Sequence, residues 1–139
     1  MIRVALVGAL EALCALGAAR ADEVWETQGG FAVYEADVGT TAVLRVPTED
    51  LGEVYVYIPG LGGMWGERRR QSYDAYFVGA EPGGPCEAAL QATNDRQSQF
   101  WGEARVVLTE RAFPTGLFVL LKPCDGREEV FVFGKPVTP

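Results

Sequence analysis

The feature that most constrains the fold is a pair of apolar runs joined by the dipeptide Asp125-Gly126. Asp-Gly is a strong signal for a two-residue hairpin, because a type I′ turn requires positive φ at both turn positions. The cross-strand pairs predicted by this loop are Cys124 with Arg127, Lys122 with Glu129, Leu121 with Val130, Leu120 with Phe131, and Phe118 with Phe133. The register places opposite charges and aromatic rings across from each other, which favours a C-terminal hairpin.

Both faces of this hairpin are apolar. Phe118 and Leu120 lie on one face, and Val119 and Leu121 lie on the other. An antiparallel sheet with one wet face alternates apolar and polar residues. We therefore expect both faces to be covered, with burial inside the monomer favoured over a partner chain. An apolar face left open would mark an interaction surface, and a structural or assembly subunit would show one around Val119 and Val132.

The rest of the chain consists of short β segments separated by Gly- and Pro-containing turns, without a long helical periodicity. Strands are predicted at residues 31–37, 41–46, 53–58, 72–78 and 100–110. Residues 85–93 form the one candidate helix, with Pro85 suited to a first turn and an Ala-rich interior. About seven strands with frequent turns predict a mainly β fold, either an antiparallel sandwich or a small barrel.

Residues 1–21 have the pattern of a signal peptide. Arg3 supplies positive charge, an apolar run follows, and the segment closes with Ala19-Arg20-Ala21, a small-x-small cleavage pattern. Glu11 divides the apolar stretch into halves too short to span a bilayer. We therefore expect residues 22–139 to be a single exported domain, secreted or periplasmic, with no membrane insertion after cleavage.

Two cysteines, Cys86 and Cys124, remain in the predicted mature chain. An even cysteine count in an exported protein predicts a disulfide. In the chain-entropy model, a loop of this length stabilises the fold by roughly 4 kcal/mol. The chain contains no histidine, and two cysteines alone do not complete a tetrahedral zinc shell. A disulfide is therefore favoured, and no metal or other cofactor is expected.

The predicted mature chain is strongly acidic. Removing the leader with Arg3, Arg20 and Glu11 changes the formal charge from −7 to −8. A domain of this charge is repelled by phosphate backbones and by anionic lipid surfaces. Nucleic acid is therefore excluded as a partner.

The composition also limits catalysis. The absence of histidine removes Ser-His-Asp triads and Cys-His pairs. A hydrolase acting on a polysaccharide needs only two suitably spaced carboxylates, and Asp74, Glu81, Asp95 and Glu103 are the candidates. Acidic residues are abundant here, so a solvated acidic surface is the better interpretation. The sequence favours a protein that is not an enzyme, and no catalytic residue is assigned.

One segment gives a functional lead. Arginines bind carboxylates, sulfates and phosphates bidentately, and aromatic rings stack on sugars or guanidinium groups. The predicted ligand-binding residues are Trp65, Arg68, Arg69, Arg70 and Tyr73, with Trp101 as a second aromatic wall. In the simpler alternative, Trp65 and Tyr73 pack in the core and the arginines pair with acids such as Glu67 and Asp74.

The leading hypothesis is an extracytoplasmic, non-enzymatic binding or inhibitory module. Its partner would be an acidic glycan or peptide, or a protein surface. The alternatives are an assembly subunit that uses the apolar hairpin face and the carboxylate-based polysaccharide hydrolase.

Overall fold

The computed structural model describes residues 23–138, most of which form a closed antiparallel β-barrel. The ten strands are β1 (Val24–Thr27), β2 (Gly30–Val38), β3 (Thr41–Thr48), β4 (Gly52–Pro59), β5 (Ser72–Gly79), β6 (Leu90–Gln91), β7 (Gln97–Ser98), β8 (Trp101–Leu108), β9 (Leu117–Pro123) and β10 (Val130–Pro136). Neighbours around the barrel follow the order β1-β10-β9-β8-β5-β4-β3-β2, and β6 pairs with β7 beside it. The predicted signal peptide at residues 1–21 lies outside the described residues, so it and the domain boundary stay predictions.

The predictions of a mainly β fold and a Cys86–Cys124 disulfide are confirmed, and of the two predicted architectures, sandwich and small barrel, the barrel is the one present. The barrel has eight strands where about seven were expected. The unpredicted β1 has only four residues, too few for a periodic pattern to stand out. The five strands predicted between residues 31 and 110 correspond to β2, β3, β4, β5 and β8.

The helix predicted at residues 85–93 is wrong. This segment is irregular and ends in β6, and the backbone N–H of Cys86 donates to the carbonyl of Gln99 at 2.8 Å. The disulfide ties Cys86 to Cys124, with 5.9 Å between the Cα atoms. These tertiary constraints override the local helix propensity, which is only a weak preference. Among residues 23–138, the helical structure is confined to the 3₁₀ turn Gly66–Arg68.

The register of the C-terminal hairpin is confirmed, but its turn differs from the prediction. The ladder pairs Val130 with Leu121 and continues in the expected register to Gly134 opposite Leu117. At the turn, only Gly126 has positive φ, at 74°, and its N–H donates to the carbonyl of Pro123 at 3.4 Å. The type I′ prediction is therefore wrong, because a type I′ turn needs two positive φ values.

The predicted pairs nearest the turn are not part of the ladder. Regular pairing begins at Val130, so Arg127 and Glu129 lie in irregular chain. The carboxylate of Asp125 instead accepts from the backbone N–H of Arg127 at 3.2 Å and from its guanidinium at 2.8 Å. These local hydrogen bonds hold the turn in a form different from the predicted two-residue loop.

The barrel interior is filled by side chains. Alternate residues of each strand point inward, as for Ala104, Val106 and Leu108 of β8. The buried residues that share this core include Trp25, Tyr34, Leu44, Val46, Val54, Val56, Ile58, Tyr73, Phe77, Leu117, Val119, Leu121 and Val132. An eight-stranded barrel is just wide enough to be filled in this way. Because the interior is packed, a binding site would lie on the outer surface.

One sector of the outer surface is covered by residues 80–100, which we call the covering segment. Outward side chains of β3, β4 and β5, among them Val43, Tyr57 and Val78, form a second apolar cluster with Ala92 of this segment. The hydroxyl of Tyr57 donates to Oδ1 of Asn94 at 2.9 Å. The disulfide then fixes the covering segment to the end of β9.

The seam between β1 and β10 is closed partly by a side chain. β1 contributes two paired positions to β10 and then turns away. Beyond them, Nε2 of Gln28 donates to the carbonyl of Phe131 at 3.2 Å, and its Oε1 accepts from the N–H of Phe133 at 3.3 Å. This amide satisfies main-chain groups of β10 that a longer β1 would otherwise pair.

Candidate functional site

The outward side chains of β8, β9 and β10 form an exposed surface that we call the open face. Its apolar members are Val107, Phe118, Leu120, Phe131 and Phe133, and its charged members are Glu103, Arg105 and Lys122. Phe118, Phe131 and Phe133 are 38%, 64% and 44% exposed. A soluble protein rarely leaves several large aromatic side chains together in water unless they serve an interaction.

The expectation that both hairpin faces are covered is wrong. Val119 and Leu121 point into the barrel and are fully buried, whereas Phe118 lies on the uncovered outer side. The open face is therefore not the one around Val119 and Val132. The covering segment lies over β3, β4 and β5, on another sector of the barrel.

Sheet register brings the apolar side chains of the open face together. Phe118 lies opposite Val107 on one side and opposite Phe133 on the other. The ring centroids of Phe118 and Phe133 are 4.7 Å apart with the ring planes tilted by 49°. Leu120 lies opposite Phe131 in the next row. These contacts make a continuous apolar surface across three strands.

A shallow groove of about 420 Å³ runs beside this apolar surface. Its lining residues are Asp74, Ala75, Glu103, Ala104, Arg105, Leu120, Lys122 and Glu129. The guanidinium of Arg105 contacts the carboxylate of Asp74 at 2.8 Å, in a pair that is largely exposed to solvent. The predicted Lys122 and Glu129 pair shares the groove but forms no ion pair within 4 Å in the described chain.

Two of the four candidate catalytic acids share this groove. Asp74 and Glu103 line it, whereas Glu81 and Asp95 belong to the covering segment. The side chain of Asp74 is 91% exposed and bound to Arg105. A glycosidase general acid works in a partly desolvated site beside the bond it cleaves. The open setting of Asp74 does not supply such a site.

An apolar slot of about 230 Å³ continues from the groove. Tyr76, Leu90, Gln91, Trp101, Gly102 and Glu103 line it, so Glu103 belongs to both the slot and the groove. The indole N–H of Trp101 donates to the carbonyl of Ala88 at 2.8 Å, which fixes the ring beside the covering segment. The hydroxyl of Tyr76 is hydrogen-bonded to Thr93 at 3.0 Å. Two aromatic rings, each fixed by a hydrogen bond to the covering segment, therefore line a slot that also includes Glu103.

The structure separates the predicted arginine cluster into different roles. Arg69 is 2% exposed, and its Nη2 contacts both carboxylate oxygens of Glu23, at 2.7 and 3.0 Å. Its Nε donates to the carbonyl of Met64 at 3.1 Å. The guanidinium also lies 5.4 Å from the ring of Trp65. Arg69 is thus part of the packing that closes one end of the barrel.

Arg68 and Arg70 remain exposed. The guanidinium of Arg70 lies 4.7 Å from the ring centroid of Tyr73, and the backbone N–H of Arg70 donates to the Tyr73 hydroxyl at 2.7 Å. Tyr73 itself is 2% exposed and belongs to the core. Of the predicted arginines and Tyr73, only Arg68 and Arg70 are therefore exposed for binding. This surface is smaller than the one that the sequence predicted.

Trp101 does not join this cluster. It pairs with Val78 at one end of the β5–β8 ladder, whereas Ser72, next to the arginines, pairs with Val107 at the other end. The structure therefore places Trp101 in the slot and not opposite Trp65. The exposed phenylalanines were missing from the predicted site, although the two-faced apolar pattern of the hairpin carried the relevant signal.

Two tyrosines have altered acid–base properties. Burial, reinforced by the hydrogen bond to the carboxylate of Asp37, raises the pKa of Tyr34 above its ordinary value. Burial also raises the pKa of Tyr57, although Arg96 and Asn94 partly oppose this effect. Both lie away from the open face, so their titration reports on the fold.

Residues 23–138 also lack two other structural features. No group of three or more Cys, Asp or Glu side chains is placed to hold a metal ion. No helix in this part of the chain has the length and apolar character needed to cross a membrane.

Comparison with known proteins gives no relative from which a function could be transferred. No family model matches the chain, and no curated protein or solved structure matches it significantly. The surface chemistry is therefore the basis for assigning a function.

Proposed function

We propose that this protein is an extracytoplasmic, non-enzymatic binding or inhibitory module that docks another protein on its open face. The observation that carries the proposal is the exposure of Phe118, Phe131 and Phe133 on adjacent strands of a barrel whose interior is packed. Aromatic side chains surrounded by a polar rim are typical of the centre of a protein–protein interface.

The charged residues beside the phenylalanines suit a rim. Glu103, Arg105 and Lys122 carry both signs of charge and lie on the same strands. Such charges set orientation and association rate more than affinity. The rigid sheet beneath them holds the surface in place, so that little ordering is required when a partner docks.

The exposed residues fit a protein surface as partner better than they fit an acidic glycan or peptide bound by arginines. That alternative required Arg68, Arg69 and Arg70 to act together, and Arg69 is neutralised by Glu23 in the barrel end. Self-association as an assembly subunit would bring two strongly acidic chains together, which their charge opposes. Secretion, or export to a periplasm, is supported by the disulfide, because such bonds persist in oxidising compartments.

The test uses one phenylalanine on the open face and one elsewhere. Phe131 and Phe31 are 64% and 60% exposed, but Phe31 lies on β2. A photo-crosslinking phenylalanine derivative at each position, in the presence of extracytoplasmic proteins, should capture a partner at position 131 and not at position 31. Phe131→Ser should abolish binding of that partner, whereas Phe31→Ser and Arg68→Ala/Arg70→Ala should retain it.

Three outcomes would overturn the proposal. One is equal crosslinking at both positions, and another is binding that survives Phe131→Ser together with Phe133→Ser. The third is capture only of a second copy of this chain, which would assign the open face to self-association. Size-exclusion chromatography of the purified protein separates that outcome from docking of a different protein.

A further inference from the structure

The slot beside the open face has the dimensions and chemistry of a receptor for a single basic side chain. Its volume of about 230 Å³ is smaller than the roughly 300–1,000 Å³ of sites for small molecules. We propose that a lysine or arginine of the docked protein inserts between Tyr76, Leu90 and Trp101 and places its charge at Glu103. This inference rests on the proposed function and specifies the partner's chemistry.

The walls of the slot match the stem of a basic side chain. Tyr76, Leu90 and Trp101 provide almost entirely apolar surface. The methylene groups of lysine and arginine pack on such surfaces while the charged end stays near water. Aromatic rings also attract cations through their π faces. The same chain already uses this contact internally, because the guanidinium of Arg96 lies 3.6 Å from the ring centroid of Tyr55.

Glu103 is the counter-ion available at the end of the slot. Two other acids, Asp74 and Asp125, are already paired with Arg105 and Arg127. Within the described chain, Glu103 forms no ion pair within 4 Å. Lys122 lies opposite it in the ladder without reaching that distance. A cation that enters the slot can therefore bind this carboxylate without first breaking an existing ion pair.

The strand register fixes the spacing along β8 between the slot and the row that holds Leu120 and Phe131. Arg105 lies opposite Leu120, which lies opposite Phe131, so these residues mark one row of the open face. Trp101 is four residues away along β8. At about 3.3 Å per residue, the slot is about 13 Å from that row. A partner residue that contacts Leu120 or Phe131 would therefore lie more than about 13 Å from the basic residue, because β9 and β10 are displaced sideways from β8.

The test uses blocked amino acids as probes of the slot alone. The acetylated methylamides of arginine, lysine and norleucine are titrated into ¹⁵N-labelled protein, and the indole N–H signal of Trp101 is followed by NMR. The signal is assigned by its loss in Trp101→Phe. We expect saturable shifts with the two basic probes and much weaker ones with uncharged norleucine. Glu103→Gln should weaken binding of the basic probes about two- to fivefold, the range of an exposed ion pair.

Glu129→Gln is the matched control, because Glu129 lines the groove but not the slot. It should leave probe binding unchanged, as should Phe131→Ser, which disrupts only the docking surface. The inference is overturned if the basic probes give no saturable shift, if norleucine binds equally well, or if Glu103→Gln has no effect. Loss of partner binding in Phe131→Ser with no probe binding in the native protein would reject the slot and keep the proposed function.

Discussion

The guanidinium of Arg69 and the carboxylate of Glu23 form a two-contact ion pair at the closed end of the barrel, with both side chains almost fully removed from solvent. The backbone carbonyl of Glu23 also accepts from the N–H of Tyr34 at 2.9 Å. The pair therefore connects the segment before β5 to the start of β1. Its position explains why Arg69 differs in role from the arginines on either side of it.

Removing Arg69 should destabilise the barrel strongly. Arg69→Ala leaves the carboxylate of Glu23 buried without its cation, which costs about 3–5 kcal/mol. Arg68→Ala is the control, because an exposed substitution changes stability by about 0.5 kcal/mol or less. Urea unfolding followed by circular dichroism measures both. Equal stabilities for the two variants would contradict the assigned role of Arg69.

Neighbouring residues of β10 should respond oppositely to substitution. Val132 is 3% exposed and Phe131 is 64% exposed. Val132→Ala should cost about 2 kcal/mol, from about 0.8 kcal/mol per methylene removed from the core plus a cavity contribution. Phe131→Ser should change stability by about 0.5 kcal/mol or less. A large loss of stability in Phe131→Ser, measured by chemical unfolding, would place Phe131 in the fold and not in the docking surface.

Loss of the disulfide should loosen the covering segment. Cys86 and Cys124 are separated by 38 positions, and a loop of this length contributes about 4 kcal/mol in the chain-entropy model. Cys86→Ser/Cys124→Ser should therefore lower the midpoint of thermal unfolding. Amide hydrogen exchange should accelerate first in residues 80–100, because the disulfide holds this segment on the barrel. Uniform acceleration over all strands would show that the segment is held by other contacts.

Alkaline pH should destabilise the protein through its buried tyrosines. The folded state raises the pKa of Tyr34 and of Tyr57, whereas tyrosine in an unfolded chain titrates near 10. Above about pH 10 the unfolded chain loses protons that the folded chain retains, so stability falls as pH rises. Below that pH this contribution is fully present.

Phenolate absorbance in the near ultraviolet provides the measurement. Tyr34 and Tyr57, two of the five tyrosines, should keep their protons to a higher pH than tyrosine in an unfolded chain does. Tyr34→Phe should reduce the steepness of the alkaline stability loss, even though it also removes the hydrogen bond to Asp37. Titration of all tyrosines together near pH 10 in the folded protein would contradict the expected shifts.

The hairpin shows what local sequence can predict and where that information ends. The pairing of Leu121 with Val130 follows from the position of Asp125 and Gly126 between two apolar runs. Local sequence does not predict which face of the hairpin is exposed to solvent, because both faces are apolar and the residues do not alternate between apolar and polar. Closure of the sheet into a barrel decides it, because that closure turns Val119 and Leu121 inward and leaves Phe118 outside.

The different environments of the three arginines could not be predicted for a related reason. Arg68, Arg69 and Arg70 are chemically identical and adjacent, so local sequence cannot distinguish them. The residue that neutralises Arg69 is Glu23, 46 positions away in sequence. The slot could not be predicted from local sequence either, since Leu90 of the covering segment meets Trp101 only after the segment folds over the barrel.

The seam between β1 and β10 determines when the barrel can close. Trp25 pairs with Pro136, so the first and last strands of the described chain are neighbours. Contacts between residues so distant in sequence form late, because loop-closure entropy must be overcome before they stabilise the fold. A nascent chain therefore exposes the edges of its unfinished sheet until β10 has emerged. Fast docking of β10 should limit aggregation through these exposed edges.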